Sequence, residues 1–577
     1  MQHDRSYRRA VLLALSLLSA CAAADPSGAS TEARLPRSGQ PAPTGAIGAY
    51  LIGRFAGFEG DLDEAADQLL KAQAIDPDSP EVRQQAFLAA LLDARPEAGR
   101  LARDLPDNMA AQLLLANDAA RAGDWATVEH RFAALPKQGL TQVLQPMLVA
   151  WAQFGGGHTD AALATLRPFV EGERFRAVYA LHAALIADLA SRPGEAGRMY
   201  GIAQSDFGST NLELSRALAS WQARTGHEAE AKHTLAALVQ AGPDVAIALP
   251  RLQADAATRQ VRRATDGIAA AYLALAVALR QQDASEFATV LLRLALDLRP
   301  DLTAARMVAA DLDEQAKRYE AALTILQPVA AADPLAPVVE LRRVALQDRL
   351  GNTDEALRLA TAIGAAYPAR PEPWSLQADI LREKHRYADA VAAYDKAVAL
   401  TPQPYTRGNW PLFYERGIAL ERAHDWPRAE ADFQHALQLS PDEPGVLNYL
   451  GYSWTEQGHD LTRARQMIQR AAEERPNDGA ILDSLGWVTL RQGDTAAGVK
   501  WLEKAVELQP EDATINGHLG DGYWAAGRKL EAEYQWRRAL TLNPEPEDVG
   551  HLQAKLHEAE QALGMASTPA TAEKALP

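Results

Sequence analysis

Near the C-terminus the stretch "AILDSLGWVTLRQGD", Ala480 to Asp494, sets an Asp, a Ser, a Gly and a Trp close together. Ser484 would be a nucleophile if it stood on a sharp strand-to-helix turn within G-x-S-x-G. There its hydroxyl would be exposed and a nearby base could take the proton. The first Gly of that pattern is missing here. Asp483, Trp487 and Arg491 instead follow one another at intervals of four, the spacing of one helix face. Ser484 therefore reads as an ordinary helical residue, and its three neighbours as a stripe.

Other candidate chemistry is thin. "HEAEAKH" from His227 to His233 sets its histidines six apart, whereas two zinc ligands on one helix face need a spacing of four. His158 follows three glycines, but no Lys completes a phosphate loop. Asp61, Glu64, Asp354 and Glu355 fall where turns lead into helices, and acids there favour the positive end of the helix. No metal cluster, cofactor motif or catalytic set is legible in these residues, so the expectation is a protein that is not an enzyme.

The elements that hold these residues are set by composition and by a repeat. The chain has 577 residues, 47% of them apolar and only 6% aromatic, which is too long for one ordinary core and rich in good helix formers. Its net charge is −17, which speaks against nucleic-acid binding through a broad basic face. Arg5, Arg8 and Arg9 precede the short apolar run "AVLLALSLLSA", the pattern of a signal segment. It ends in Leu18-Ser19-Ala20-Cys21, and Cys21 is the only cysteine. Those four residues resemble the bacterial lipobox. The resemblance implies lipidation at Cys21, and Ala22 after it implies the outer rather than the inner membrane. Ala22 to Gly45 is Pro-, Gly- and Ser-rich and reads as a flexible tether.

A proline that closes a helix recurs at Pro300, Pro334, Pro368 and Pro402, each 34 residues after the last. One step of 39 follows, and then Pro441, Pro476, Pro510 and Pro544 at steps of 35, 34 and 34. Within the period, Ala390, Tyr394 and Ala397 align with Ala429, Phe433 and Ala436, and again with Ala532, Trp536 and Ala539. Small residues stand upstream at Ala378, Gly417, Gly451, Gly486 and Gly520. These are helix pairs: a large residue fills the space between two helices, a small one lets them approach, and Pro stops continuation. A weaker copy carries Gly53, Ala65, Leu69, Ala72 and Pro77, and others lie around Ala162, Ala196 and Ala231. About fourteen units fit between Ile47 and Pro544.

Period and residue types resemble the tetratricopeptide repeat. That resemblance implies an all-α fold, a right-handed superhelical solenoid of helix pairs whose first helices line the inner groove. The boundaries expected are 1–20 signal segment, 21–45 lipidated Cys and tether, 46–243 degenerate repeats, 244–267 insertion or joint, 268–546 clearer repeats, and 547–577 capping helix and tail. Asn448, Tyr452, Asp483, Trp487, Arg491, Asp521 and Trp524 form the expected protein-binding groove, as aromatic anchors flanked by polar groups. Trp374, Trp454 and Trp536 are assigned to packing.

"NYLGYSW", "ILDSLGWVTLRQGD" and "INGHLGDGYWAAGRKLEAEYQWRRAL" resemble the C-terminal repeats of Gram-negative outer-membrane tetratricopeptide lipoproteins. That resemblance implies a lipid-anchored periplasmic adaptor that recruits a carboxyl-terminal processing protease and presents peptidoglycan hydrolases to it. The alternative expectation is a structural part of an envelope assembly or an exopolysaccharide secretion complex. Neither involves nucleic acid.

Overall fold

A computed structural model describes residues 45–563, apart from 173–174, 209–210 and 281–284. Cys21 and the whole lipobox lie outside the described residues. Among those described, every regular element is a helix, and the fold is an all-α solenoid. Setting aside the short Leu249–Ala254 helix and the final Pro546–Ala562 helix, the α-helices taken in order make fourteen successive pairs.

The marker prolines act as expected. The Tyr387–Leu400, Trp426–Leu439, Leu461–Glu474 and Thr495–Leu508 helices each stop two residues before Pro402, Pro441, Pro476 and Pro510. The 39-residue step is taken up by a longer connection that holds a 3-10 turn at Arg407–Asn409. The 35-residue step reflects one extra residue in the Pro444–Gln457 helix, which has 14 residues where Gly479–Arg491 and Ala513–Ala525 have 13. Acids at the turns cap: Asp61 accepts from the Glu64 backbone at 3.2 Å, and Asp512 from Ile515 at 3.0 Å. His158 and His227 both stand at helix N-caps.

The chain divides into two compact units, residues 1–359 and 360–577. In the first unit a continuous core runs from Ala66 to Leu312. The segment 244–267 lies inside this unit and holds a 3-10 turn, Pro243–Ala248, and the Leu249–Ala254 helix. After it the chain turns back. The Ala264–Arg280 helix packs on Leu140–Gly155 and also meets Met109–Ala122 and Arg176–Leu189. Ser285–Leu298 packs on Met109–Ala122 and Pro80–Leu92. These four partners are all first helices of their pairs, so the face they share is covered from within. "GIAAAYLALAVAL" suits that place, because a helix apolar on every side must be buried on every side. Gly267 lets the Trp151 ring come so close that an added Cβ would lie 2.2 Å from it.

In the second unit the pairs stack in sequence order. Gly417, Gly451, Gly486 and Gly520 are buried where the two helices of a pair cross, against Phe433, Ile468, Leu502 and Trp536. Trp454 and Trp536 are buried at 2% exposure. Trp374 also packs, over Gly364, but it is half-buried and Lys396 Nζ lies 4.4 Å from the ring centroid. Pro546–Ala562 packs on Lys529–Thr541 and closes this end.

Candidate functional site

The first helices Pro444–Gln457, Gly479–Arg491 and Ala513–Ala525 lie side by side in the second unit. A residue one period on therefore stands level with its counterpart, and one 31 residues on stands about a helical turn away on the next helix. Side chains related in this way meet. His518 Nδ1 lies 2.8 Å from Asp483 Oδ2, a separation of 35 residues. Trp487 Nε1 donates to Glu456, 31 residues before it. The Trp487 and His518 rings, again 31 apart in sequence, stack at 4.4 Å with planes 13° apart. Tyr452 reaches the same histidine, with ring centroids 6.0 Å apart. The Arg491 guanidinium lies 5.6 Å from the Trp487 ring centroid.

The electrostatics follow from burial. Desolvation alone would lower the His518 pKa. Asp483, hydrogen-bonded to it, acts with Asp521 and Glu456 to outweigh that effect and hold the imidazole above its ordinary value. A protonated ring beneath an indole is also a favourable cation–π stack. The Tyr452 hydroxyl is pushed up by burial and then by Glu456, Asp483 and Asp548, so it stays a neutral donor.

The sequence-derived set divides in two here. Tyr452, Asp483, Trp487 and Arg491 come together around His518. Trp487 is half-buried and Arg491 exposed, as a surface stripe requires. Asp483 is not surface: its side chain is 6% exposed, and its free oxygen Oδ1 is buried without a partner, as is Asn448 Oδ1. Asp483 is thus the support beneath His518. Asp521 and Trp524 face the two final helices, Lys529–Thr541 and Pro546–Ala562. Trp536 Nε1 donates to Asp521 Oδ1 at 2.9 Å and Lys555 Nζ to Oδ2 at 2.7 Å, so both carboxylate oxygens are engaged. Trp524 packs on Trp536 with centroids 5.6 Å apart. These two residues hold the end of the stack.

His518 and Glu456 lie outside the expected groove set, because a single register of the repeat does not show which side chains meet one turn across on the next helix. Their signal was present: Glu456, Trp487 and His518 are spaced by 31 and 31, one turn short of the period. Ser484 donates its hydroxyl to the Ala480 carbonyl at 3.0 Å, as an ordinary helical serine does. No group of three or more His, Cys, Asp or Glu able to hold a metal occurs among the described residues.

Tetratricopeptide repeat profiles match residues 314–380, and again residues 414–479 and 484–545. No curated protein is significantly similar in sequence. Among solved structures, a tetratricopeptide repeat protein from Parabacteroides merdae is 16% identical, with 44% of this chain and 97% of that one covered and a TM-score of 0.36. The Cut9–Hcn1 hetero-tetramer structure of the APC/C is 16% identical over 89% of this chain and 96% of that one, TM-score 0.39. Yeast Tom70 is 14% identical over 82% and 98%, TM-score 0.33.

Proposed function

We propose that the chain is a non-catalytic scaffold that binds protein partners on the first-helix face of its second unit. It is tethered through lipid at Cys21 to the periplasmic side of the outer membrane. There it recruits a carboxyl-terminal processing protease and presents peptidoglycan hydrolases to it. The observation that carries the binding surface is the Trp487–His518 stack, with Arg491 beside it. A large aromatic ring is held in one orientation by Glu456 and by His518 on the buried Asp483, yet it keeps part of its surface open. Such an anchor offers contact area without rotamer entropy to lose on binding. Tetratricopeptide profiles over the same helices support this use of the face, because repeat arrays present extended binding surfaces. The lipobox resemblance supports the tether. The likeness of the last hundred or so residues to adaptor lipoproteins supports the partner class. Two partners held on one tethered surface meet at a raised effective concentration, and the scaffold then needs no chemistry of its own.

The test uses the chain from Cys21 onward, without lipid, as wild type, Trp487→Ala and Trp524→Ala. Each is immobilised against envelope extract, and bound proteins are identified by mass spectrometry. Retention of a processing protease or cell-wall hydrolase by wild type and Trp524→Ala, but not by Trp487→Ala, is the expected result. With the purified partner, Trp487→Ala should weaken binding by about thirtyfold, the scale of a 2 kcal/mol hot spot. Equal capture by all three proteins would remove the site. Capture of secretion or barrel-assembly components instead would replace the partner class.

A further inference from the structure

We propose that the first unit holds a binding site for a small polyanion, in a cavity where arginines gather. The cavity has a volume of about 610 Å³ and is lined by Arg95, Arg100, Arg103, Arg121, Arg293 and Arg306 against only two acids, Asp118 and Asp297. This basic lining stands out on a chain of net charge −17. The volume falls in the range of small-ligand sites, on the order of 300–1,000 Å³.

The arginines are not equally committed. Arg95 pairs with Asp63, Asp67 and Asp93. Arg121 pairs with Asp118 and Asp297, so one arginine takes both acids of the lining. Among the described residues, Arg293 and Arg306 hydrogen-bond to carbonyls and form no ion pair. Arg293 Nε donates to the Leu92 carbonyl, and Arg306 donates to those of Pro300 and Ile325. A carbonyl holds a guanidinium in place without neutralising it. Burial lowers the pKa of both, and Arg293 lowers that of Arg306 further, while Asp93 and Asp313 offset part of the effect on Arg293. Arg100 and Arg103, exposed on the short Glu97–Arg103 helix, complete the charge.

Capping the ends of neighbouring helices explains one donor of Arg293, but not why four arginines that form no ion pair among the described residues share one cavity. Two half-buried guanidiniums close enough to repel cost stability, and an anion between them would offset that cost. Their planar forks suit phosphate or carboxylate groups in two-point contact. Leu91, Leu114 and Leu296 in the same lining suit an apolar ligand body. The ligand class is a compact organic molecule bearing two or more phosphate or carboxylate groups.

The full chain is titrated by calorimetry at fixed ionic strength with inorganic pyrophosphate, and separately with citrate. Saturable one-site binding of at least one probe is expected, weakened at least about tenfold in Arg100→Glu/Arg103→Glu and lost in Arg293→Met. Binding of pyrophosphate alone assigns a phosphate ligand, and binding of citrate alone a polycarboxylate. Arg100 and Arg103 are exposed, so their double variant decides the matter even if Arg293→Met fails to fold. Absence of saturable binding by both probes, or equal binding by wild type and the double variant, overturns the proposal.

Discussion

His518, mostly enclosed, and His182, fully buried, are pushed in opposite directions by their surroundings. His182 is 1% exposed and accepts from Trp151 Nε1 at 2.9 Å, and burial pulls its pKa down to about 3. It is therefore neutral in the folded chain. Its contribution to stability is complete above the unfolded value of about 6.5 and is lost as pH falls from there toward 3. Lowering pH from 7 to 5 should cost the first unit about 2 kcal/mol through this group. His182→Gln, which keeps an acceptor for Trp151, should lose that part of the acid sensitivity in urea titrations at the two pH values. His518 has the opposite sign. Its folded pKa is raised, so its pairing with Asp483 contributes fully below about pH 6.5 and is lost as pH rises through the raised value. The stability gap between wild type and His518→Gln should therefore be wider at pH 5.5 than at pH 8.5. A gap that does not change with pH would mean that folding leaves the His518 pKa where it is in the unfolded chain, and a narrower gap at pH 5.5 would mean that His518 is held neutral.

At the scale of the element, glycine serves two purposes that substitution by Ala separates. A Cβ on Gly486 would stand 2.7 Å from Leu502 Cγ and 3.0 Å from the Leu502 backbone nitrogen. Part of that neighbour is main chain, so the pair must open to admit it. Gly486→Ala should cost about 1–3 kcal/mol in denaturant unfolding, as overpacked sites do. Gly201 lies inside the Pro193–Phe207 helix and is exposed, and a Cβ added there would meet nothing within 4 Å. Gly201→Ala should stabilise by about 0.5–1 kcal/mol, because only backbone freedom of the unfolded chain is removed. The periodicity foretold the first case, since small residues mark the crossings in every clear repeat. It was silent on the second, which lies in a degenerate copy.

At the scale of the molecule, the unexpected feature is the return of the 264–298 helices across the first unit. Asn117, fully buried, fastens it. Its amide donates to the Leu294 carbonyl at 3.1 Å and to Asp297 Oδ2 at 3.0 Å, and its oxygen accepts from the Tyr272 hydroxyl at 3.1 Å. Asn117→Leu would leave the buried Tyr272 hydroxyl without its acceptor and take one donor from Asp297, at a cost of about 1–3 kcal/mol. A shift of the unfolding midpoint without a change in slope would confirm the loss, and an unshifted midpoint would show that water readily replaces the amide. The return closes the first-helix face of Pro80–Leu92, Met109–Ala122, Leu140–Gly155 and Arg176–Leu189. No described helix is long and apolar enough to cross a membrane.

The sequence alone determined the helix pair, its period and its stops. Proline placement, small crossing residues and 3.6-residue periodicity act within one or two neighbouring helices, so local spacing was enough to read them. The same locality made Trp487 and Arg491 legible as a stripe. Whether Asp483 faced solvent, and whether Asp521 and Trp524 were free, depended on what stood one turn across on the next helix and on where the final helix lay. Lys555, Trp536 and His518 settled those questions. The return of the 264–298 helices joins residues 177 apart in sequence. Repeat spacing carries no information at that separation, and only burial of an all-apolar helix against a distant face decides it.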